Sequence, residues 1–402
     1  MKIKTQSLEN CAACNSDKLR EIIDLPKFPH VGIYIKNADE SYKYPAIDNN
    51  LRYCKECGHI QLGVTVDPDF LYTADFQHKT SQSASAKQAN EFLYKFVEKV
   101  YEGIPSPKIV VEIGCNDTFL LQQFVSNGAI AIGVDPILKD KENIFLKNIP
   151  EEDKDKFKVI GSFIEKVDFK SLLGQSPDLF ISNFVFEHIR NPFEVVKGIL
   201  SKMSNDSIAV LGVPGSEFMV MNSRFDQLSH QHYQQFNLQS FQKMIVRAGG
   251  EIINHAINFT NWGQIIVAFK KSKKIINLDS YNNPFNNEYI DKSINSFFEQ
   301  IELFKIRLDL LSGKPIYGFG AAQNFPIFEY FCKQHLPFKI ILDDHPLRQN
   351  NYFSGLDYHI EKPQTDYSGS VGVLTGPDYS RVLVPRMAAL KFDHIVIPFS
   401  AN

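Results

Sequence analysis

Positive charge is not in excess. Forty-three Lys and Arg stand against 46 Asp and Glu, a formal net charge of −3 and no global electrostatic reason to bind nucleic acid or an anionic membrane. No uninterrupted apolar run approaches the ~18 residues of a membrane helix. The N-terminus, MKIKTQSLENCAACNSDKL, lacks the apolar stretch of a secretory signal. A soluble, cytoplasmic protein is therefore expected. Internal repeats and low-complexity tails are missing, and tryptophan occurs once. Against these absences stand 33 Phe and 16 Tyr, which with abundant Lys, Asn and Ile read as AT-rich coding bias. Hydrophobic residues at 44% and charged residues at 22% exclude a mainly disordered chain. At ~150 residues per domain, a chain of this length holds two or three domains.

Cysteine is scarce, with six in 402 residues, yet four of the six form two pairs, Cys11-Ala-Ala-Cys14 and Cys54-Lys-Glu-Cys57. Two intervening residues let both thiolates of a pair point inward from one tight turn. Two such turns complete a four-thiolate zinc site with no position left for water, which makes the site structural. Gly58 directly after the second pair permits the positive φ such turns use. In a reducing compartment zinc is favoured over disulfides, and four separate buried or redox cysteines are the alternative. Structural zinc contributes ~10–16 kcal/mol in peptides, enough to replace a small core in residues 1–75. No basic cluster accompanies the pairs, as a nucleic-acid zinc ribbon would require. Cys115 and Cys332 read as packing residues.

The middle of the chain reads as a parallel sheet. Lys108-Ile-Val-Val-Glu112-Ile-Gly114-Cys-Asn116-Asp117 is a buried strand entering a glycine turn. A helix follows from Phe119 to about Asn127, then a second strand ending at Asp135. This is a βαβ unit whose second strand closes on an acid, a residue type that accepts hydrogen bonds from ribose hydroxyls. The turn is not GxGxxG. Glu112 before a single glycine suits S-adenosylmethionine (SAM), which has no pyrophosphate to cradle. A doubly wound sheet without a nucleotide is the alternative. Strands at 178–182 and 207–213, a helix near 193–203, a helix at 238–248 and a strand pair at 251–257 and 263–269 extend the pattern. Ligands of such sheets sit outside the carboxyl ends of the strands, which puts Asn183–His188 and the later histidines near one cleft.

Taken together, these segments resemble the SAM-dependent C-methyltransferases of nucleotide-linked 4-keto deoxysugars. The carriers are the paired CxxC start, Glu112-Ile-Gly-Cys-Asn-Asp117, Asn183-Phe-Val-Phe-Glu-His188 and Ser229-His-Gln-His232. Two C-terminal stretches add to them, Tyr317-Gly-Phe-Gly-Ala-Ala-Gln-Asn324 and Asp343-Asp-His-Pro-Leu-Arg-Gln349. The resemblance implies an α/β fold: a class I methyltransferase (Rossmann-like) sheet at 76–275, a four-cysteine zinc domain at 1–75, and a linker helix with a Rossmann-like domain at 276–402. It implies Cys11, Cys14, Cys54 and Cys57 as zinc ligands, and Glu112, Gly114, Asn116, Asp117, Asp135 and Asn183 around SAM. It puts His232 at the general-base position, with His188 a second active-site histidine and Gln231 between His230 and His232. His78, His230 and Asn324 fall on the side of the sugar-nucleotide substrate. Four positions depart from the family pattern: Ser229 stands for tyrosine, Gln231 for glutamate, His78 for tyrosine and Thr118 for glycine. A glutamine can orient a neighbour but carries no charge. The departures leave open O- or N-methylation, a SAM reaction without methyl transfer, or a non-catalytic binder.

Apolar residues at 290, 294, 297, 301, 304, 308 and 311 mark one face of a long helix over 286–312, after an Asn-rich linker. Lys314–Ala322 then reads as a strand entering a second glycine turn. On its own that unit can be an NAD site, but Gln323 stands at the third glycine position. Its helix N-terminus can instead hold a substrate phosphate. A turn is expected at 350–355, with strands at 338–342, 371–374 and 394–398. Oligomeric state is left open.

Overall fold

A computed structural model describes residues 3–71, 83–142, 149–274, 277–278 and 280–399. His78 lies outside the described residues. No helix among the described residues is long and apolar enough to cross a membrane.

The N-terminal lobe is built on three antiparallel strands, β1 (Leu19–Phe28), β3 (Ile47–Cys54) and β4 (Ile60–Leu62). Between the first two lies a two-residue strand, β2 (Tyr34–Ile35), which belongs to a different sheet.

Helix α1 (Ala84–Val100) leads into the central domain; Ser83 caps it by accepting from the Ala86 amide. Strands β5 (Ile109–Ile113), β6 (Ile130–Val134), β7 (Phe157–Ile160), β8 (Leu179–Asn183) and β9 (Ile208–Val213) are parallel. Helices α2 (Phe119–Ser126) and α3 (Pro192–Lys202) connect some of them. Every residue of β5 and β9 is buried, as expected of apolar runs covered on both faces. After α4 (Ser216–Met221), the pair β10 (Gln234–Gln235) and α5 (Leu238–Arg247) precedes β11 (Gly250–Asn258) and β12 (Gln264–Lys271). Spatial order is β11-β12-β9-β8-β5-β6-β7, with β12 antiparallel to both of its neighbours. The chain winds outward in both directions from β5, so a switch point lies between β5 and β8, where ligands of open α/β sheets bind. This is the class I methyltransferase arrangement that the sequence implied.

Helix α6 (Asn287–Leu310) buries Ile290, Ile294, Phe297, Ile301, Phe304 and Leu308, the face its periodicity predicts, and Asn286 caps its first turn. The C-terminal sheet contains β13 (Ile316–Phe319), β14 (Ile341–Leu342), β15 (Asn351–Phe353), β16 (His359–Glu361), β17 (Val371–Leu374) and β18 (His394–Val396). Helices α7 (Phe325–Cys332) and α8 (Ser380–Ala389) pack with it.

Two short strands stitch the lobes together. Tyr34 and Ile35 pair with Phe353 and Tyr352, making β2 the edge of the C-terminal sheet. Gln234 and Gln235 pair with Gln61 and Ile60, so the central domain supplies an edge to the N-terminal sheet. The expected turn over 350–355 accordingly contains a strand at Asn351–Phe353. It pairs on one side with the nearby His359–Glu361 and on the other with Tyr34–Ile35, more than 300 residues earlier in the chain.

Candidate active site

The four cysteines of the N-terminal lobe converge. Cys11 and Cys57 sulfurs are 3.6 Å apart, Cys14 and Cys54 sulfurs 3.5 Å. All four lie within 4.8 Å of one another. Disulfide sulfurs would be ~2.05 Å apart, whereas a zinc tetrahedron with bonds near ~2.3 Å has edges of about 3.8 Å. The donor set and its spacing fit zinc. The knuckles also grip the central domain: Arg247 donates to the Ala13 carbonyl at 2.5 Å and Asn237 to the Gly58 carbonyl at 2.7 Å. Gly58 has φ +73, and a Cβ there would meet Asn283 at 2.3 Å.

The second site lies at the carboxyl end of β5. Gly114 has φ +72, and a Cβ on it would meet Val185 at 2.3 Å, so the glycine is required by both conformation and space. Glu112 is buried, and its Oε2 has no hydrogen-bond partner. Burial, reinforced by Asp117 and Asp135 nearby, pushes its carboxyl well above the ordinary value. Asp135, at the end of β6, ties the turn together: Oδ2 accepts from the Asn116 amide at 3.1 Å and Oδ1 from the Ile137 amide at 3.0 Å. None of the described groups that shift Glu112 or Asp135 is cationic. Three clustered carboxylates with no cation among those groups, and one buried oxygen without a partner, fit a positively charged ligand. SAM, a sulfonium carrying an ammonium group, fits that description.

Backbone strain gathers at this rim. Asn116 (φ 45), Thr118 (φ 60), Phe184 (φ 55) and Trp262 (φ 52) occupy the left-handed region without being glycine, a concentration typical of functional sites. Thr118 stands where the related pattern has glycine, and the backbone keeps the glycine conformation. Phe184 and Trp262 meet edge to face with centroids 5.7 Å apart. Asn183, expected to contact cofactor, is held by protein: its amide donates to Asn90 at 2.9 Å and its oxygen accepts from Gln264 at 2.8 Å.

Val185 begins the turn that carries His188, whose amide donates to the Val185 carbonyl at 2.9 Å. Three residues reach at most ~11 Å, so His188 sits close to the Gly114 turn. Its ring and that of His232 meet edge to face, centroids 4.7 Å apart. His232 is anchored by a tight turn in which its amide lies 3.1 Å from the Ser229 carbonyl. The structure thus brings together His188 and His232 from segments 44 residues apart.

The residues between them do other work. His230 is fully buried, with Nε2 3.0 Å from the Phe28 carbonyl and Nδ1 3.4 Å from Asn49; burial lowers it to about 3. Gln231 donates from its side chain to the Val31 carbonyl at 3.1 Å, while its backbone carbonyl lies 2.9 Å from His188 Nδ1. The main chain of Gln231, rather than its amide side chain, orients the histidine. Asn324 stands at the N-cap position of α7 without a side-chain capping bond, beside a small cavity shared with Asp226, Ala322, Thr375, Gly376 and Tyr379. Sequence reasoning passed over Glu187, buried beside His188; an acid at the start of a short helical turn carries no signal that separates it from a solvated one.

Residues 11–72 match a family profile described as a "putative zinc binding domain", and residues 85–255 one described as a methyltransferase domain. The C-methyltransferase NovU of Streptomyces niveus is 22% identical over 269 residues, covering 65% of this chain. The matched part spans 60% of that relative's length. Among solved structures, the glycopeptide N-methyltransferase MtfA is 10% identical, covering 46% of this chain and 90% of that one with a TM-score of 0.37. The Burkholderia thailandensis 1,6-didemethyltoxoflavin-N1-methyltransferase is 13% identical, covering 48% of this chain and 80% of that one, TM-score 0.35.

Proposed function

We propose that this chain, a methyltransferase domain preceded by a four-cysteine zinc-binding module, transfers a methyl group from SAM to a carbon beside a ketone in a nucleotide-linked sugar. One observation carries the reading. The carboxylate-lined glycine turn and the imidazole pair belong to neighbouring strand ends, joined through Val185 lying against Gly114.

Bound at the turn, SAM supplies an electrophilic methyl on a cationic sulfur. Glu112, Asp117 and Asp135 supply the negative field that holds such a cation, and the strained Asn116–Thr118 backbone shapes the rim. A ketone acidifies its neighbouring C–H. His232 takes that proton: the C–H bond breaks, an N–H bond forms, and the electron pair moves toward the ketone oxygen as the enolate. Positioning two substrates face to face supplies much of the acceleration, and a placed base adds ~10²–10⁴-fold. The zinc cluster takes no part in the chemistry; it fixes the lobe that carries the edge strand beside His232.

Purified protein incubated with SAM and a panel of 4-keto sugar nucleotides tests this. A product heavier by one methyl, with solvent deuterium entering the adjacent carbon, is expected. His232→Ala should abolish turnover while SAM binding survives. Methylation without exchange moves the reaction to oxygen or nitrogen, and SAM binding without turnover on any substrate removes the enzymatic reading.

A further inference from the structure

Trp262 stands where a large ring is costly. It has φ 52 and Gly263 has φ 59, and the Gln264 amide donates to the Asn261 carbonyl at 2.9 Å, which closes a tight turn between β11 and β12. Asn-Gly is the low-strain pair for two successive left-handed residues, and a bulky side chain there is an outlier. Phe184, at φ 55, is the second such aromatic. A chain of side-chain amides fixes both positions: Asn90 accepts from Asn183 at 2.9 Å, Asn183 from Gln264 at 2.8 Å, and Gln264 from Asn258 at 3.1 Å. Asn261 donates to the Ser85 carbonyl at 3.0 Å. The two rings held in this way are only partly buried, so filling a core does not account for them. They lie at the ligand end of the sheet. Phe184 follows β8 directly and precedes Val185, whose side chain closes on Gly114. The Trp262 carbonyl accepts at 3.3 Å from the amide of Gly215, two residues beyond β9.

SAM carries two cationic centres of different chemistry. Its ammonium donates N–H bonds that carboxylates accept. Its sulfonium has no N–H or O–H and offers only its charge and the C–H groups around it, which an aromatic face attracts. We propose that Phe184 and Trp262 form an aromatic wall of the SAM pocket that meets the sulfonium and favours it over the neutral thioether left after methyl transfer. The inference rests on SAM as the ligand of the Gly114 turn and adds what tells donor from spent product. Before transfer, cation–π attraction holds the sulfur against the wall. Afterwards the sulfur is neutral, that attraction is gone, and S-adenosylhomocysteine leaves. The amide chain keeps the wall in place through both states, which is the use to which the strained backbone at Phe184 and Trp262 is put.

Trp262 is the single tryptophan of the chain, so tryptophan emission reports on this wall alone. The full chain is titrated with SAM and with S-adenosylhomocysteine, followed in parallel by calorimetry and by fluorescence. Emission should change saturably with SAM, at the calorimetric midpoint. Trp262→Asn suits the left-handed turn and removes the ring; it should lower the ratio of SAM affinity to S-adenosylhomocysteine affinity by about 3- to 30-fold, the range of one cation–π contact. Trp262→Phe keeps a ring and should keep most of that ratio. An equal loss of both affinities, or a fall in thermal midpoint with the ratio unmoved, makes the ring structural and overturns the proposal. Calorimetric SAM binding that leaves the emission unchanged also overturns it, while the SAM reading stands. No SAM binding by either method removes both.

Discussion

Two glycine turns in this protein are built alike and charged differently. In the central domain Asp135 accepts the Asn116 and Ile137 amides; in the C-terminal domain Asp343 accepts the Ala321 amide at 2.6 Å and the His345 amide at 2.7 Å. Each acid ends a second strand and ties back to the turn after the first, and Gly114 and Gly320 both have positive φ. Two residues before the glycine the units part. The central turn has the buried Glu112. The C-terminal one has Gly318, where a Cβ would already meet Ile341 at 3.0 Å. Arg348 reaches Asp343 at 3.3 Å, while no described cation acts on Glu112. The same scaffold therefore clusters three carboxylates in one copy and sets an acid beside Arg348 in the other. Fold repeats; the charge set decides which ligand each copy suits.

The largest effect expected concerns the link between the two units. Arg224, 4% exposed, makes a bidentate pair with Asp226 at 2.7 and 2.8 Å and reaches Asp378 of the C-terminal domain at 2.8 Å. Arg224→Ala leaves Asp226 buried without its cation and should cost about 3–5 kcal/mol in urea unfolding. A loss within 1 kcal/mol would mean that the domains hold together by other contacts.

Next comes the charge difference itself. Glu112→Gln should weaken SAM binding by about 10- to 100-fold in calorimetry, the range of a lost charged hydrogen bond at ~1.5–3 kcal/mol. Ligand-free thermal stability should hold or rise, because a buried acid has been removed. Asp343→Asn should leave SAM affinity untouched. Equal effects of the two substitutions would erase the distinction between the turns.

A pH dependence sharpens it further. Glu112 has a raised carboxyl in the fold, so its ionisation is opposed there and the penalty grows as pH rises past its ordinary ~4.3. A cation favours the ionised form and expels the proton. SAM affinity should therefore increase with pH, by at most about tenfold per unit, from the lower value that the bound cation imposes on Glu112 up to the raised value of the free fold. Glu112→Gln should flatten that slope, and a slope that survives belongs to another group.

The smallest effect is strain. Thr118 holds φ 60 as a β-branched residue, and Thr118→Gly should add about 1 kcal/mol of stability with SAM binding retained. A fall in thermal midpoint would mean that the buried threonine side chain outweighs its backbone cost.

Much of this arrangement was legible before the structure, where the signal was local. CxxC spacing, continuous apolar runs in Ile109–Ile113 and Ile208–Val213, and the stripe along Asn287–Leu310 each follow from neighbours in sequence. Short Phe157–Ile160 carries no such signal, since four residues hold too little pattern to tell a strand from a loop. Helix Ser380–Ala389 is likewise hidden from sequence: Pro385 sits inside it, and proline argues against a helix. At the candidate site Glu112, Gly114 and Asp135 were legible as a strand–turn–strand unit. The positive φ of Phe184 and Trp262 and the burial of Glu187 were not, because strain and burial are properties of the assembled fold.

By itself the sequence determined the units: two thiol pairs able to complete a tetrahedron, two βαβ turns with an acid after the second strand, and a helix amphipathic over its whole length. Those depend on periods of two to four residues, which the backbone expresses wherever the segment sits. Tertiary structure decided the partnerships. It sent Tyr34–Ile35 into a sheet centred about 300 residues away, set the Gln231 carbonyl rather than its side chain on His188, and put Glu112 beside Asp117 and Asp135 while Asp343 received Arg348. Hydrogen-bond acceptors and charges find partners by proximity in space, and only the folded chain sets that proximity.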